Sequence, residues 1–292
     1  MMSRPQHIAK YLKDKFNQFS NQFYFHFFNA ANKSGFSKNI PLIFILGCPR
    51  CGTTLTYQLL INAFELGYIS NRIAPYYGGL GLAERVFRAN QKFQPLSYDS
   101  HHGATREPYG PHECGAFWYQ FFSRDPHYAP RNSMQAPVQK QLRKHVAAFQ
   151  RAVGCPLVFK NVMLSGRLQV LQEVFPEAAF VVVRREREAT VQSILRARVK
   201  VGTAPGEWWS LRPKGFEAVQ AKDPRSIAEA QFDLTYQMID EDLRGRHIDV
   251  QYEALCREPR RELERVENQL IHLGIPIKRR AWDCVPEAFH GK

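Results

Sequence analysis

The residues best suited by type and spacing to do chemistry lie in one stretch, Leu42 to Leu60, LIFILGCPRCGTTLTYQLL. Gly47 and Gly52 have the G-x-x-x-x-G spacing of a phosphate loop, and the hydroxyls of Thr53 and Thr54 follow. The apolar run Leu42 to Leu46 reads as a buried strand; from Thr54, Leu55, Leu59, Leu60 and Ala63 recur at helical spacing. Strand, glycine turn and helix start together make an anion site, because the first helical N–H groups lack partners and the helix dipole favours negative charge there. An NTPase needs Lys where this chain has Thr53, which argues against ordinary ATP or GTP hydrolysis. The cation sits inside the loop instead, as Arg50. Two rival readings share these residues. One is a plain glycine turn; the other is a redox pair, since Cys48 and Cys51 form a C-x-x-C at a helix start.

Composition narrows the choice. Hydrophobic content of 44% and charged content of 23% are globular values, and 292 residues suit one large domain or two small ones with a proper core. The net charge of +13 draws anionic partners, whether nucleotide, sulfated or phosphorylated substrate, membrane surface or nucleic acid. Basic residues are spread along the chain without a recognised nucleic-acid motif, so no nucleic-acid partner is expected. Six scattered cysteines argue against a disulfide scaffold and fit a reducing, cytoplasmic compartment. Apart from Cys48 and Cys51 none are spaced as metal ligands, and no metal is expected. No run approaches the ~20 apolar residues of a membrane span and no secretory leader is evident, so the chain reads as soluble.

The elements that must position the loop follow in order. Residues 1–38 form an N-terminal segment whose stripe Ile8, Leu12, Phe16, Phe19, Phe23 and Phe27 predicts an amphipathic helix over 8–28. Packing of that stripe on the domain body is the favoured reading, and a peripheral membrane contact the alternative. Residues 39–292 read as one domain. Leu66 to Ile69 is a candidate short strand, and 71–130 an irregular segment suited to a lid or acceptor-side loop. A basic amphipathic helix is predicted over 137–153. Strands are predicted at Leu157–Asn161, Ala179–Val183 and Ile248–Tyr252, with helices between them. Such alternation predicts an α/β fold, a parallel sheet with helices on both faces and its ligand at the strands' carboxyl ends. Lys160 and Arg185 lie at or just past two of those ends.

The loop Pro49-Arg50-Cys51-Gly52-Thr53-Thr54 resembles the P-[KR]-[SC]-G-T-T loop of the sulfotransferases. Three later segments resemble the same family, in the same order. FVVVRREREATVQSIL is similar to its strand ending in R-[DN]-P with a Ser eight residues after the Arg, here Arg185 and Ser193. The chain departs by having Glu186-Arg187 for the Asp-Pro pair, which leaves Arg184 as a competitor for the Arg role. LVFKNVMLSGRLQVLQEVFPEAAFV matches the family's strand-Lys stretch, and VQYEALCREPRRELERVENQLIHLGIP its Y-E-x-L segment. Four ordered matches from Leu42 to Pro276 demote the redox reading, which has no use for the later three.

The resemblance implies a three-layer, P-loop-like sulfotransferase fold and an enzyme that moves a sulfuryl group from 3′-phosphoadenosine 5′-phosphosulfate (PAPS) to a hydroxyl or amine. Backbone N–H groups of Cys51, Gly52, Thr53 and Thr54, with the threonine hydroxyls, are then expected to hold the 5′-phosphate. Arg185 and Ser193 are expected on the 3′-phosphate, and Arg50 and Lys160 on charge developing in transfer. The family takes its base from the variable segment. Glu113, beside an aromatic cluster, is the first candidate, His112 the second, and His101 or His102 the third. Trp208 and Trp209, near Arg212 and Lys214, read as an acceptor-side loop or as core plugs. Glycans, lipid-linked headgroups, phenols and tyrosyl peptides all remain open as acceptors, as does a non-catalytic nucleotide-binding or nucleic-acid-binding module.

Overall fold

A computed structural model describes residues 39–88, 93–100, 105–220 and 223–289, together with residues 15, 19, 21–23 and 26. Its centre is a four-stranded sheet in the order β2-β1-β3-β4, parallel throughout: β1 Leu42–Leu46, β2 Leu157–Lys160, β3 Ala179–Arg184 and β4 His247–Gln251. Helices flank it: α1 Thr53–Ala63, α2 Leu80–Arg88, α3 Gly115–Trp118, α4 Ala136–Val153, α5 Leu168–Val174, α6 Arg187–Val201, α7 Pro224–Asp242, α8 Tyr252–Arg257 and α9 Pro259–His272. β1 and β3 are apolar at almost every position because both sheet faces are covered. Phe44 marks the middle of the core, its ring within 5.7 to 6.1 Å of Trp118, Phe159, Phe175 and Phe180.

The strand order decides where a ligand can sit. After β1 the chain crosses to β2 on one side, then returns over β1 to β3 on the other. The carboxyl ends of β1 and β3 therefore open a crevice at the topological switch point. The glycine loop follows β1, and Arg185 follows β3.

Three sequence expectations change. Leu66–Ile69 is no strand, because it meets β2 only around Gly67, whose N–H donates to Pro156 and whose carbonyl accepts from Val158, both at 2.8 Å. It then leaves β2 to brace 109–112: Ile69 accepts from the His112 N–H at 2.8 Å, and the Tyr68 hydroxyl donates to the Tyr109 carbonyl at 2.8 Å. The segment 71–130, read as irregular, contains α2, whose Leu80 and Ala83 are buried while Leu82, Arg85 and Val86 face out. The third concerns the predicted N-terminal stripe. Phe19 and Phe23 are largely exposed, and among the described residues of this segment Asn21 is the buried one. The other stripe members, Ile8, Leu12, Phe16 and Phe27, lie outside the described residues. No helix among the described residues is long and apolar enough to cross a membrane.

Candidate active site

The loop between β1 and α1 is tightly determined. Gly52, the N-cap of α1, has φ 102°, and a Cβ there would stand 2.1 Å from the Tyr252 ring. Only glycine admits both the left-handed backbone and the approach of that ring. Gly47 is fixed from the other side: Ser165, fully buried, donates to its carbonyl and accepts from its N–H, both at 3.1 Å. Arg50 itself takes φ 71°, a strained setting for a side-chain-bearing residue of the kind that collects at functional loops. The first i→i−4 bond of α1 runs from Thr56 to Gly52 at 3.1 Å, which leaves the N–H groups of Thr53, Thr54 and Leu55 without helical acceptors. The Cys51 N–H donates to the Cys48 carbonyl at 3.2 Å.

A cavity of about 500 Å³ opens over this loop. Arg50, Gly52, Thr53, Thr54, Glu113, Lys160, Arg185 and Ser193 all line it, which unites residues from β1 to α6. Lys160 ends β2 with its side chain only 4% exposed; its ammonium donates to Thr54 Oγ1 at 3.0 Å and pairs closely with Glu113 Oε1. Glu113 is held by its backbone as well, through the Asn161 side-chain amide donating to its carbonyl at 3.2 Å. On the opposite side Arg50 Nε donates to Ser193 Oγ at 3.2 Å, and an Arg185 guanidinium N–H donates to the Arg50 carbonyl at 3.2 Å. Arg185 also lies 4.4 Å over the Tyr252 ring, a cation–π contact that orients it. Burial, then the nearby charges of Arg185 and Arg196, pulls the Arg50 guanidinium below its ordinary pKa.

Other expectations resolve just as concretely. Arg184 does not compete for the phosphate role: it pairs with Asp240 and Asp249 at 2.5 and 2.6 Å and is absent from the cavity wall. The Glu186-Arg187 departure is structural. Glu186 caps α6, accepting from the Glu188 and Ala189 N–H groups at 2.8 and 2.6 Å, while Arg187 pairs with Asp233 at 2.7 Å. His112 lies beside the cavity rather than in its wall; its Nδ1 accepts from the Cys114 N–H at 2.8 Å and burial lowers its pKa. His101 and His102 lie outside the described residues. Trp209 reaches the cavity, whereas Trp208 packs edge-on to Phe216, Arg212 pairs with Asp125 and Lys214 with Glu241.

The cysteine pair has the wrong surroundings for redox work. Cys48 and Cys51 are fully buried free thiols. Burial raises the pKa of Cys48 well above its usual value and pushes Cys51 up to about 11, the reverse of a reactive thiolate. Sequence reading missed Arg196, one turn beyond Ser193 on α6, and the Tyr98–Ser100 stretch, which also line the cavity. The helical offset of three from Ser193 was the available signal for Arg196. Nothing in the sequence marked Tyr98–Ser100, which the Gln58 amide holds by donating to the carbonyls of Ser97 and Asp99 at 2.9 and 3.2 Å.

A sequence model of the Sulfotransferase family matches residues 41–278, a span that contains all four strands and every loop, cation and carboxylate residue just described. The class is thus a parallel α/β fold, and the chain belongs to the sulfotransferase family. Among solved structures, sulfotransferase STF9 from Mycobacterium avium superposes with a TM-score of 0.51 at 15% identity, over 80% of this chain. The chain spans 64% of that protein's length. Sulfotransferase STF1 from Mycobacterium tuberculosis H37Rv gives a TM-score of 0.49 at 18% identity, over 90% of this chain and 77% of its own. No curated protein sequence matches significantly.

Proposed function

We propose that the chain transfers a sulfuryl group from PAPS to a hydroxyl or amine acceptor. The observation that carries this reading is the position of Lys160, whose ammonium touches both Thr54 of the anion loop and the Glu113 carboxylate. One cation thus joins the donor's seat to the base's seat. The residues fit a nucleotide with separated anionic groups. Thr54 and Leu55 offer N–H groups without helical acceptors at one end; Arg185 Nε, buried and lacking a hydrogen-bond partner in the structure, offers an unmet donor at the other. A buried donor without a partner is costly, and an anion there would remove the cost.

PAPS supplies the sulfuryl group when bound, and the chain's own residues do the rest. Gly52 to Leu55 and the threonine hydroxyls bind and orient the 5′-phosphate side, and Arg185 with Ser193 the 3′-phosphate side. Arg50 and Lys160 offset negative charge that grows on the leaving group, a preorganised electrostatic role. Glu113, paired with Lys160, accepts the proton of the acceptor group. Trp209 and Tyr98 supply aromatic surface on the cavity wall for the acceptor. Turnover of PAPS against a panel of glycans, phenols, tyrosyl peptides and lipids tests the reading; 3′,5′-ADP should inhibit competitively with the donor. Retention on immobilised 3′,5′-ADP that DNA competes away, with no transfer to any acceptor, would favour a binding module instead.

A further inference from the structure

Phe19 and Phe23 are 71% and 63% exposed, unusual for phenylalanines on an ordered helix. With Lys15 and His26 they fall at steps of four, four and three, so the four side chains share one helical face. Asn21 is two positions from each phenylalanine and therefore lies on the opposite side. It is buried and anchors the helix to the body: its amide donates to the Pro75 carbonyl at 3.0 Å, and its Oδ1 accepts from the Gly78 N–H at 2.6 Å. This anchor directs the phenylalanine face outward.

The anchored turn leads directly into α2, where Leu82 and Val86 are exposed one helical turn apart with exposed Arg85 between them. Phe19 and Phe23 are more exposed than Tyr76, Leu82 or Val86, at 44%, 39% and 62%. Charge identifies the occupant. The first 38 residues carry six Lys and Arg against one Asp, and the whole chain is +13. Aromatic side chains with basic neighbours on one exposed helical face match a surface that is apolar below and negative above.

We propose that the helical face formed by Phe19 and Phe23 docks the protein reversibly on an anionic lipid membrane. The proposal is independent of the transfer chemistry, and either can fail alone. The test is flotation of the full chain with phosphatidylcholine vesicles, with and without about a third phosphatidylserine, at low and high salt. The chain should float with the anionic vesicles and stay behind with the neutral ones, and salt should weaken the binding. Phe19→Ser with Phe23→Ser should reduce binding at least tenfold; Lys15→Glu, which leaves the aromatic face intact, should reduce it several-fold. A circular-dichroism melt checks that each variant folds. Absence of flotation with anionic vesicles would overturn the proposal, as would undiminished binding by the folded double variant. A wild type that sediments as a dimer, becomes monomeric in the double variant and ignores vesicles would assign the face to self-association instead.

Discussion

Arg50 Nε donates to Ser193 Oγ at 3.2 Å, which ties the strained loop residue to the helix that follows β3. Arg50 therefore faces the Arg185–Ser193 half of the cavity, and Lys160 faces the Glu113 half. The two cations that the sequence groups into one task stand on different sides of the anion loop.

This division makes the donor side separable. Arg185→Ala removes the guanidinium with the unmet buried N–H, so the donor KM should rise at least tenfold while the acceptor KM changes little. Ser193→Ala should raise the donor KM and also lower kcat, because it frees Arg50. Steady-state kinetics with each substrate varied checks both. Equal use of PAPS and adenosine 5′-phosphosulfate by the wild type would exclude a 3′-phosphate role for this pair.

Lys160→Ala should lower kcat by about a hundredfold, the usual cost of removing one preorganised charge-stabilising donor. Affinity for 3′,5′-ADP should change far less, since the loop N–H groups remain. Calorimetric titration of the nucleotide beside single-turnover transfer separates the outcomes. Parallel losses in both would make Lys160 an anchor for the nucleotide.

The thiols give a check on the discarded redox reading. Cys48, Cys51 and Cys114 are buried, and burial pushes Cys114 up to about 12. Under native conditions Ellman's reagent should therefore leave these three unreacted and label them only after unfolding. Rapid native labelling of Cys48 or Cys51, or reduction of insulin disulfides, would restore the pair as a redox candidate.

His145 on α4 is 5% exposed, and burial pushes its pKa down to about 4, with the Lys144 charge adding to the shift. The unfolded chain, with a His near 6.5, binds the extra proton across this window. Stability from this group is thus complete above about pH 6.5 and is lost as pH falls toward 4, by at most about 3 kcal/mol. Thermal melts from pH 8 to 4 should fall less steeply for His145→Gln than for wild type. Parallel curves would assign the acid sensitivity to other groups.

Much of this site was legible because its signals are local. The loop spacing, the strand that precedes it and the eight residues from Arg185 to Ser193 each fit within one strand–turn–helix unit. The apolar runs of β1, β2 and β3 identified these strands for the same reason, that strands covered on both faces are apolar nearly throughout, whereas β4 buries only the alternate residues Ile248 and Val250. What escaped was decided by packing. Glu113 and Lys160 are 47 residues apart, and the bracing of 109–112 by Tyr68 and Ile69, with the Asn161 amide on the Glu113 carbonyl, brings them together. Leu66–Ile69 has strand composition yet is used as that brace. The outward turn of Phe19 and Phe23 depends on Asn21, whose role as an anchor no periodicity reveals.

Glu113→Gln is the decisive change for the base. The carboxylate is 34% exposed, lines the cavity and pairs with Lys160, so it faces both the cavity and solvent. Glutamine keeps the shape and one acceptor for the Lys160 ammonium but has no basicity. kcat should fall by roughly 10²–10⁴ with 3′,5′-ADP affinity intact. His112→Ala is the matched control. Its ring nitrogen is engaged by the Cys114 N–H and its pKa is lowered, so its loss should affect stability more than turnover. Near-normal turnover by Glu113→Gln beside an inactive, folded His112→Ala would transfer the base role to the histidine. In that outcome Lys160 would keep its contact with Thr54, and the Glu113 pairing would be a positioning device for the cation alone.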